Sequence, residues 1–540
     1  MRTSTRTRSS AVVVLVLAGL LVWTWNRGGS PASQRRPNVL LVSIDTLRAD
    51  HLGCYGYPRD TSPNLDRIAR DGVCFERAVS TTSWTLPAHV SMLTGLPISV
   101  HGICDDRLWS RTDAIGRRIP PPLRGTFVSE TLQAAGYATA GFFSFDFLDS
   151  IYGFGLGFDA WERCGADVFS DPELRDEFLA LRAAGEFAAI EGFLERNAAR
   201  MERGRRTTPE TLDRAIAWLD QHERDEPKDP FFLFVHLFDV HDPYKPPPEY
   251  DRFGDPAYSG SIDGRIDTSK NEVLYTGLSR ADIARRISLY DGGIAFVDHQ
   301  LGRLFDRLGA LGVDENTLVI VTSDHGEEFF EHGRQGHHRQ LYMESLHVPL
   351  LMRWPARFPA DRRVEGTVGL IDIVPTVLAA AGVRAPNPLS GADLAPFARG
   401  EQANGGRMYV SLLNLFEARG AGQDQAHKRI ESLIRGDEQV LVSWCQDQAP
   451  RIESWDLAED PRELGAVRLL DWADIEPQFE SIARSFRSLR ERQPDRSRAL
   501  PEGNRRLRAI LAANGYASSD DVDSVEASGR LCLDGCVFWR

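Results

Sequence analysis

The 540-residue sequence contains no internal repeat, no cysteine spacing suited to a metal, and no excess of basic charge. Its formal charge is −14, and the first 36 residues hold six arginines and no acid, so the remainder sets 57 basic against 77 acidic residues, a balance of −20. That balance excludes a nucleic-acid partner held by charge alone. The seven cysteines (positions 54, 74, 104, 164, 445, 532 and 536) are odd in number, so a disulfide framework that pairs every thiol within one chain is excluded. Cys532 and Cys536 are spaced either to close a small terminal loop or to remain thiols. What is present is the composition of an ordinary globular protein, 42% hydrophobic and 26% charged, long enough for one large domain and one smaller one.

Long apolar runs are also scarce. The N-terminus, "MRTSTRTRSSAVVVLVLAGLLVWTWNRGGSPASQRR", has one from Ala11 to Trp25, preceded by arginines and followed by a Gly/Ser/Pro linker. It reads as an export segment. A spanning helix needs ~20 apolar residues, yet no clear small-x-small cleavage site follows, so a cleaved signal and an uncleaved anchor through residues 11–25 both fit. In either case the basic flank keeps that end in the cytoplasm and sends the rest to a periplasmic or extracellular location.

From Val39 to Ile44 a stretch apolar except for Ser43 suits a strand buried on both faces of a sheet. Similar runs occur in "ATAGFFS", "PFFLFVHLF", "NTLVIVTSDHG" and "HVPLLMRWP". Helical patterns alternate with them, in "SPNLDRIARDGVCF", "SETLQAAGY", "TPETLDRAIAWLDQH" and "GIAFVDHQLGRLFDRLG". The alternation predicts an α/β fold: a large, mainly parallel sheet sandwiched by helices. Residues 163–205 read as a helical insertion. Beyond "GLIDIVPTVLAAAGV" a polar stretch leads into shorter strand-like pieces, which predict a smaller C-terminal α+β subdomain. The expected organisation is a leader over 1–36, a catalytic domain over 37–385, the small subdomain over 386–500, and a terminal helix and tail over 501–540.

Asp45 directly follows the first buried strand, where open α/β sheets bind ligands, although an Asp there also serves as a turn cap. "VIVTSDHGEEFFEHGRQGHH" repeats the arrangement, with Asp324 and His325 at a strand end and Glu327, His332, His337 and His338 behind them. Such a concentration of imidazole and carboxylate points to a metal or a proton-transfer task. Asp45, Asp324 and His325 can offer two carboxylates and one nitrogen to a divalent cation: Ca²⁺ or Mg²⁺ by the oxygens, Mn²⁺ or Zn²⁺ by the imidazole. In "TTSWTLPAHVSMLTG", Pro87 suits the first turn of a helix that Gly95 can end. Thr85 then lies at or just before a helix N-terminus, where free N–H groups and the dipole favour an anion. It is either a cap or a nucleophile activated beside a metal, with His89 on the same helical face.

Taken together, the segments from "NVLLVSIDTLRADHLGCYGY" through "TTSWTLPAHVSMLTG", "FLFVHLFDVHDPYKPP", "TSDHGEEFFEHGRQGHHRQLYMESLHVPLLMRWP" and "GLIDIVPTVLAAAGV" resemble the sulfatase family of the alkaline-phosphatase-like superfamily. The resemblance implies that fold, one or two divalent cations, and an anionic ester substrate carried on a glycan, lipid headgroup or small molecule. It also marks departures. Family sulfatases read Cys-x-Pro-x-Arg, with the cysteine oxidised to formylglycine, where this chain reads Thr85-Leu86-Pro87-Ala88-His89. The acid or amide that follows the first Asp is here Thr46, a weak candidate ligand; the expected Asn is His325, and the expected Lys is His337. His241 keeps the substrate-contacting position.

These changes resemble phosphoryl-transferring relatives that pass through a phosphothreonine. The implied function is a metal-dependent hydrolase or transferase of phosphodiester, phosphonate or sulfate esters. Thr85 is its nucleophile, His241 and His337 contact the anion, and His89, Lys245 and Arg339 are subsidiary candidates. The rival reading is an inactive descendant that binds an anionic glycan or lipid headgroup.

Overall fold

Val39 and Leu41 join one hydrophobic cluster while Leu40, Val42 and Ile44 join another, so alternate residues of a single strand feed two cores. Phe232 and Phe234 face the first cluster and Leu233 and Val235 the second; Leu318 and Ile320 divide from Val319 and Val321 in the same way. Strands with apolar residues pointing to both sides can do this only when both faces of their sheet are covered. Each fully buried Leu, Val or Phe contributes about 1.5–3 kcal/mol. The computed structural model that shows this describes residues 35–104, 123–165, 207–265, 278–403, 406–417, 426–445 and 449–496, with isolated positions between 174 and 196.

In chain order the large unit contains β1 (Asn38–Ile44), α1 (Pro63–Arg70), β2 (Val73–Val79), α2 (Thr85–Thr94), α3 (Val128–Ala134), β3 (Ala138–Phe143), β4 (Ala160–Arg163), α4 (Thr208–Asp225), β5 (Phe231–Leu237), α5 (Arg280–Leu311), β6 (Thr317–Thr322), β7 (Glu328–Phe329), β8 (Gln335–Gly336), β9 (His347–Val348), β10 (Leu350–Arg353), β11 (Arg362–Gly369) and α6 (Ile373–Ala381). The sheet order is β11-β2-β10-β6-β1-β5-β3-β4, with β9 also paired to β2. β1 runs parallel to both β5 and β6, β5 to β3, β3 to β4, and β11 to β2, so the sheet is mainly parallel as expected. β10 is antiparallel to both β6 and β2.

The helix expected over "SPNLDRIARDGVCF" stops at Arg70, and Val73 opens β2 instead. Gly72 marks the break. A Cβ there would meet the carbonyl oxygen of Met352 at 2.3 Å, so only glycine lets β10 come so close. The "GIAFVDHQLGRLFDRLG" helix begins earlier than its apolar pattern, at Arg280, where Ser279 and Asp282 form a reciprocal cap.

A second, antiparallel sheet of five strands follows: β12 (Met408–Glu417), β13 (Ala426–Arg435), β14 (Glu438–Cys445), β15 (Arg451–Asp456) and β16 (Arg468–Leu469), with α7 (Trp472–Glu491). "RIESLIRGDEQVLVSW" is thus a hairpin, turned at Gly436 with φ 61°. This sheet and its loops bond to the large unit at several places, among them the following two. Leu412 N donates to Thr81 O at 2.8 Å and Ser411 Oγ to Ser80 O at 2.6 Å, just ahead of α2. Glu463 Oε2 accepts from Met343 N at 2.6 Å, and its carbonyl lies 3.0 Å from His332 Nε2.

Cys54, Cys74, Cys164 and Cys445 are free thiols. Residues 1–34 of the 1–36 leader, nearly all of the 163–205 insertion, the terminal helix and tail over 501–540, and Cys532 and Cys536 lie outside the described residues. Among the described residues, no helix is long and apolar enough to cross a membrane.

Candidate active site

Because β1, β5 and β6 are parallel, their carboxyl ends meet at one edge of the sheet, where open α/β folds form ligand sites. Asp45 and Thr46 leave β1 there; Ser323, Asp324 and His325 leave β6. His236, one residue from the end of β5, pairs in register with Ser43 of β1. Every residue of α2 is buried, and the helix ends at Gly95 in the left-handed conformation, φ 68°. Its N-cap is Trp84, with extended backbone and no side-chain cap, so Thr85 is the first helical residue and caps nothing. The Thr85 hydroxyl is turned into the site instead, 3.4 Å from Asp45 Oδ2 and 3.5 Å from His325 Nε2.

The carboxylates are held from one side only. Asp45 Oδ2 lies 3.2 Å from His236 Nε2, and Asp324 Oδ1 accepts from the amides of Thr46 at 3.3 Å and His325 at 3.0 Å. Asp45 Oδ1 and Asp324 Oδ2 are buried with no hydrogen-bond donor. His325 Nε2 faces both, at 3.7 and 3.4 Å, while its Nδ1 is anchored on Gly326 O at 2.8 Å. One ligand atom from each of Asp45, Asp324 and His325 lies within 4.8 Å of the others. Two buried, undonated carboxylate oxygens cost several kcal/mol unless a cation joins them, and an O, O, N set fits a divalent ion. Burial opposes ionisation of Asp45, but the His236 contact and nearby imidazoles overcome it and hold the carboxyl well below the usual range.

Thr46 contributes its amide rather than its hydroxyl. Its Oγ1 donates to Asp45 O at 2.7 Å, and its φ of 56° is an outlier for a β-branched residue. Tyr290 holds the turn, donating to Thr46 O at 2.7 Å and accepting from Arg48 N at 2.9 Å. His89 is fully buried behind Thr85, with its Nδ1 3.6 Å from Asp324 Oδ2. Its Nε2 is 2.9 Å from Ser43 Oγ, its Nδ1 2.9 Å from Thr85 O, and burial pushes its pKa down to about 4. Its part is to fix the first turn of α2 against β1.

His241 and His337 face each other across the pocket, with ring centroids 4.8 Å apart, and His337 lies 4.6 Å from His325. Burial and the neighbouring imidazoles hold His337 well below the ordinary histidine range. Its Nδ1 is 3.0 Å from Glu327 Oε1, a carboxyl raised well above its usual range by burial and by repulsion from Asp242. Lys245 is 3.7 Å from Asp263, and Arg339 is exposed. His332 turns away to Glu344 at 2.7 Å, and His338 stacks on Trp84 at 4.6 Å.

Sequence reasoning missed His236, which orients Asp45, and Ser43, which anchors His89. The available signal was a polar residue near the carboxyl end of each of two mostly apolar buried strands.

Residues 37–383 match the family model described as sulfatase, and residues 331–490 match one described as N-sulphoglucosamine sulphohydrolase, C-terminal. The Escherichia coli protein described as uncharacterized sulfatase YidJ is 27% identical over 67% of this chain and 71% of its own. The N-acetylglucosamine-6-O-sulfatase of Bacteroides thetaiotaomicron is 23% identical over 88% and 90%. The phosphonate monoester hydrolase structure from Agrobacterium radiobacter superposes with a TM-score of 0.60 at 22% identity, covering 86% of this chain and 97% of that one. A structure solved with its substrate D-glucosamine-2-N,6-O-disulfate gives 0.59 at 19%, covering 85% and 98%.

Proposed function

The chain belongs to the sulfatase family, whose members hydrolyse sulfuric and phosphoric esters, and from that premise we propose that it is a metal-dependent hydrolase or transferase in which Thr85 is the covalent nucleophile. The observation that carries this reading is the Thr85 hydroxyl, free of any capping role and 3.4 Å from Asp45 Oδ2. Asp45, Asp324 and His325 would hold a divalent cation of the Mn²⁺, Zn²⁺, Ca²⁺ or Mg²⁺ class. When bound, such an ion supplies Lewis-acid polarisation and lowers the pKa of a neighbouring hydroxyl.

Asp45 Oδ2 receives the Thr85 hydroxyl hydrogen and so orients an oxygen lone pair toward the pocket. The amides at the start of α2 face the anion, where the helix dipole favours negative charge. Thr85 would attack the central phosphorus or sulfur atom, and His241 and His337 would contact the anion's other oxygens. Asp45 is fixed by His236, and the first turn of α2 by His89, so the reacting hydroxyl is placed before substrate arrives.

A threonine phosphate or phosphonate can be released by attack of water or an acceptor alcohol at phosphorus. A threonine sulfate lacks the second hydroxyl through which a formylglycine hydrate expels sulfate. Phosphodiester and phosphonate esters are therefore the favoured substrates. The sulfatase relatives at 23–27% identity favour the second reading, a sulfate ester turned over without formylglycine. A panel of aryl sulfate, phosphodiester and phosphonate substrates separates the two, and turnover of the sulfate alone would overturn the preference for phosphorus. Intact-mass analysis after rapid acid quench reads the adduct on Thr85; full activity in Thr85→Ala would overturn the covalent route.

A further inference from the structure

The loop that follows β1 carries one of the free thiols onto another. Cys54 lies in the single 3-10 turn Gly53–Tyr55, and Cys74 is the second residue of β2. Contacts beyond the thiols press that turn onto the strand. The Tyr55 hydroxyl donates to Phe75 O at 2.9 Å and accepts from Leu350 N at 2.9 Å. Arg363, which pairs with Cys74 across the β11–β2 ladder, donates from Nη1 to Cys54 O. Cys54 N donates in turn to Asp66 Oδ1 of α1 at 2.7 Å. With the turn pinned from three elements, the two thiols are hydrogen-bonded to each other, and Cys54 packs against the hydrophobic cluster that contains Cys74.

A buried cysteine that only fills space needs no second sulfur beside it. Among the described residues the pair gathers no third ligand group, so it is not a metal site. Its members differ in access: Cys74 is 3% exposed, whereas Cys54 is half-buried. They differ in acidity as well. The hydrogen bond with Cys54, aided by the Tyr55 hydroxyl and the Arg363 charge, holds Cys74 below the usual thiol range against burial, and the same bond raises Cys54. One thiol is open to a reagent, and the other is poised as a thiolate behind it. The N-terminus reads as an export segment, and exported chains meet surroundings in which disulfides form and persist. Cys104 is already disulfide-bonded.

We propose that Cys54 and Cys74 are a dithiol that a disulfide oxidant closes to a cystine after export, stapling the loop after β1 to β2. Cys54 Sγ, its proton passing to solvent, attacks one sulfur of the oxidant, R–S–S–R, and forms a mixed disulfide while RS⁻ leaves. The Cys74 thiolate then attacks Cys54 Sγ, the bond from Cys54 to R breaks, and a second RS⁻ leaves. The two cysteines give up two protons and two electrons; the oxidant, a small or protein disulfide, is reduced to two thiols that take those protons. Two sulfurs in contact need only close to ~2 Å for this bond. The closed loop of about 20 residues encloses α1, a span over which a cross-link restricts the unfolded chain appreciably. The same loop begins at Asp45, and β2 runs on toward Thr85, so the staple joins the two segments from which these residues come. The proposal does not depend on the chemistry assigned to the pocket.

The full chain, exported through its own N-terminal segment, is quenched in acid with N-ethylmaleimide and digested with trypsin. Peptides 49–59 and 71–77, which carry Cys54 and Cys74, are expected as one linked species two hydrogens lighter than their sum. Dithiothreitol should split it into two alkylatable peptides. Both peptides alkylated in the exported protein, or either one linked to another cysteine, would overturn the pair. Thermal melts read the staple itself: the oxidised wild type should melt a few degrees above the reduced form. Cys54→Ser should leave Cys74 alkylatable and show a smaller difference, from the Cys104 disulfide alone. Equal differences in the wild type and Cys54→Ser would overturn the staple.

Discussion

His236 Nε2 lies 3.2 Å from Asp45 Oδ2, deep in the sheet and in register with the strand that delivers the carboxylate. The imidazole fixes one carboxylate oxygen and leaves Oδ1 pointing into the pocket without a donor. Replacing His236 with Ala should weaken Mn²⁺ binding by roughly 10–100-fold, the usual cost of losing an outer partner of a metal ligand. Activity should recover at saturating Mn²⁺. Equal affinity by calorimetry would show that His236 does not orient the site.

Thr85→Ser keeps a hydroxyl on the first helical residue and should retain measurable turnover. Thr85→Ala should lose roughly 10⁴-fold or more in kcat with little change in the melting temperature, because the wild-type side chain caps nothing. Steady-state kinetics on a phosphodiester, with thermal melts of both variants, checks this.

Chelation should destabilise the protein as well as silence it, since it leaves Asp45 Oδ1 and Asp324 Oδ2 buried and undonated. Asp324→Asn relieves part of that repulsion. It should melt above the wild type in EDTA and below it in Mn²⁺, by about 1–3 kcal/mol in each direction. Melting curves that keep the same order in both buffers would contradict a cation at this position.

Two histidines outside the pocket should give pH dependences of opposite sign. His101 is buried between Ser91 Oγ at 2.9 Å and the Ile103 amide at 3.1 Å; burial, aided by the Arg490 charge, pushes it down to about 3. The folded state keeps it neutral while the unfolded chain protonates it, so stability falls as pH drops from about 6.5 toward 3, by up to about 1.4 kcal/mol per pH unit. His332 runs the other way. Burial opposes its protonation, but the 2.7 Å contact with Glu344 outweighs burial and pushes it up to about 9. Its contribution is fully present below about pH 6.5 and is lost as pH rises through 9. Urea unfolding across pH should show a shallower acid limb in His101→Asn and a shallower alkaline limb in His332→Gln.

Asp45, Asp324, His325 and Thr85 were legible in the sequence because each stands at a strand end or helix start that its own neighbours announce. His236 and Ser43 were not, since a strand apolar on both faces says nothing about which strand lies beside it, and both residues act across that boundary. β2 was hidden inside a helical pattern because the apolar spacing of α1 runs on past Gly72. What ends the helix is the approach of β10, a strand almost 280 residues later in the chain. The antiparallel course of β10 was equally silent, since direction is set by connection length and not by the composition of a four-residue strand.

The hydrogen bonds from Leu412 and Ser411 to the backbone of Thr81 and Ser80 bear on how such a protein can be rebuilt. The approach to Thr85 is braced by a strand more than 300 residues away, so the small sheet is not a module that can be exchanged freely. A chimera that takes its C-terminal sheet from a relative would inherit a different brace for Thr85. Crossovers placed in the polar stretch ahead of β12, which separate residues 80–83 from their own β12, should yield a folded chimera with a misplaced hydroxyl.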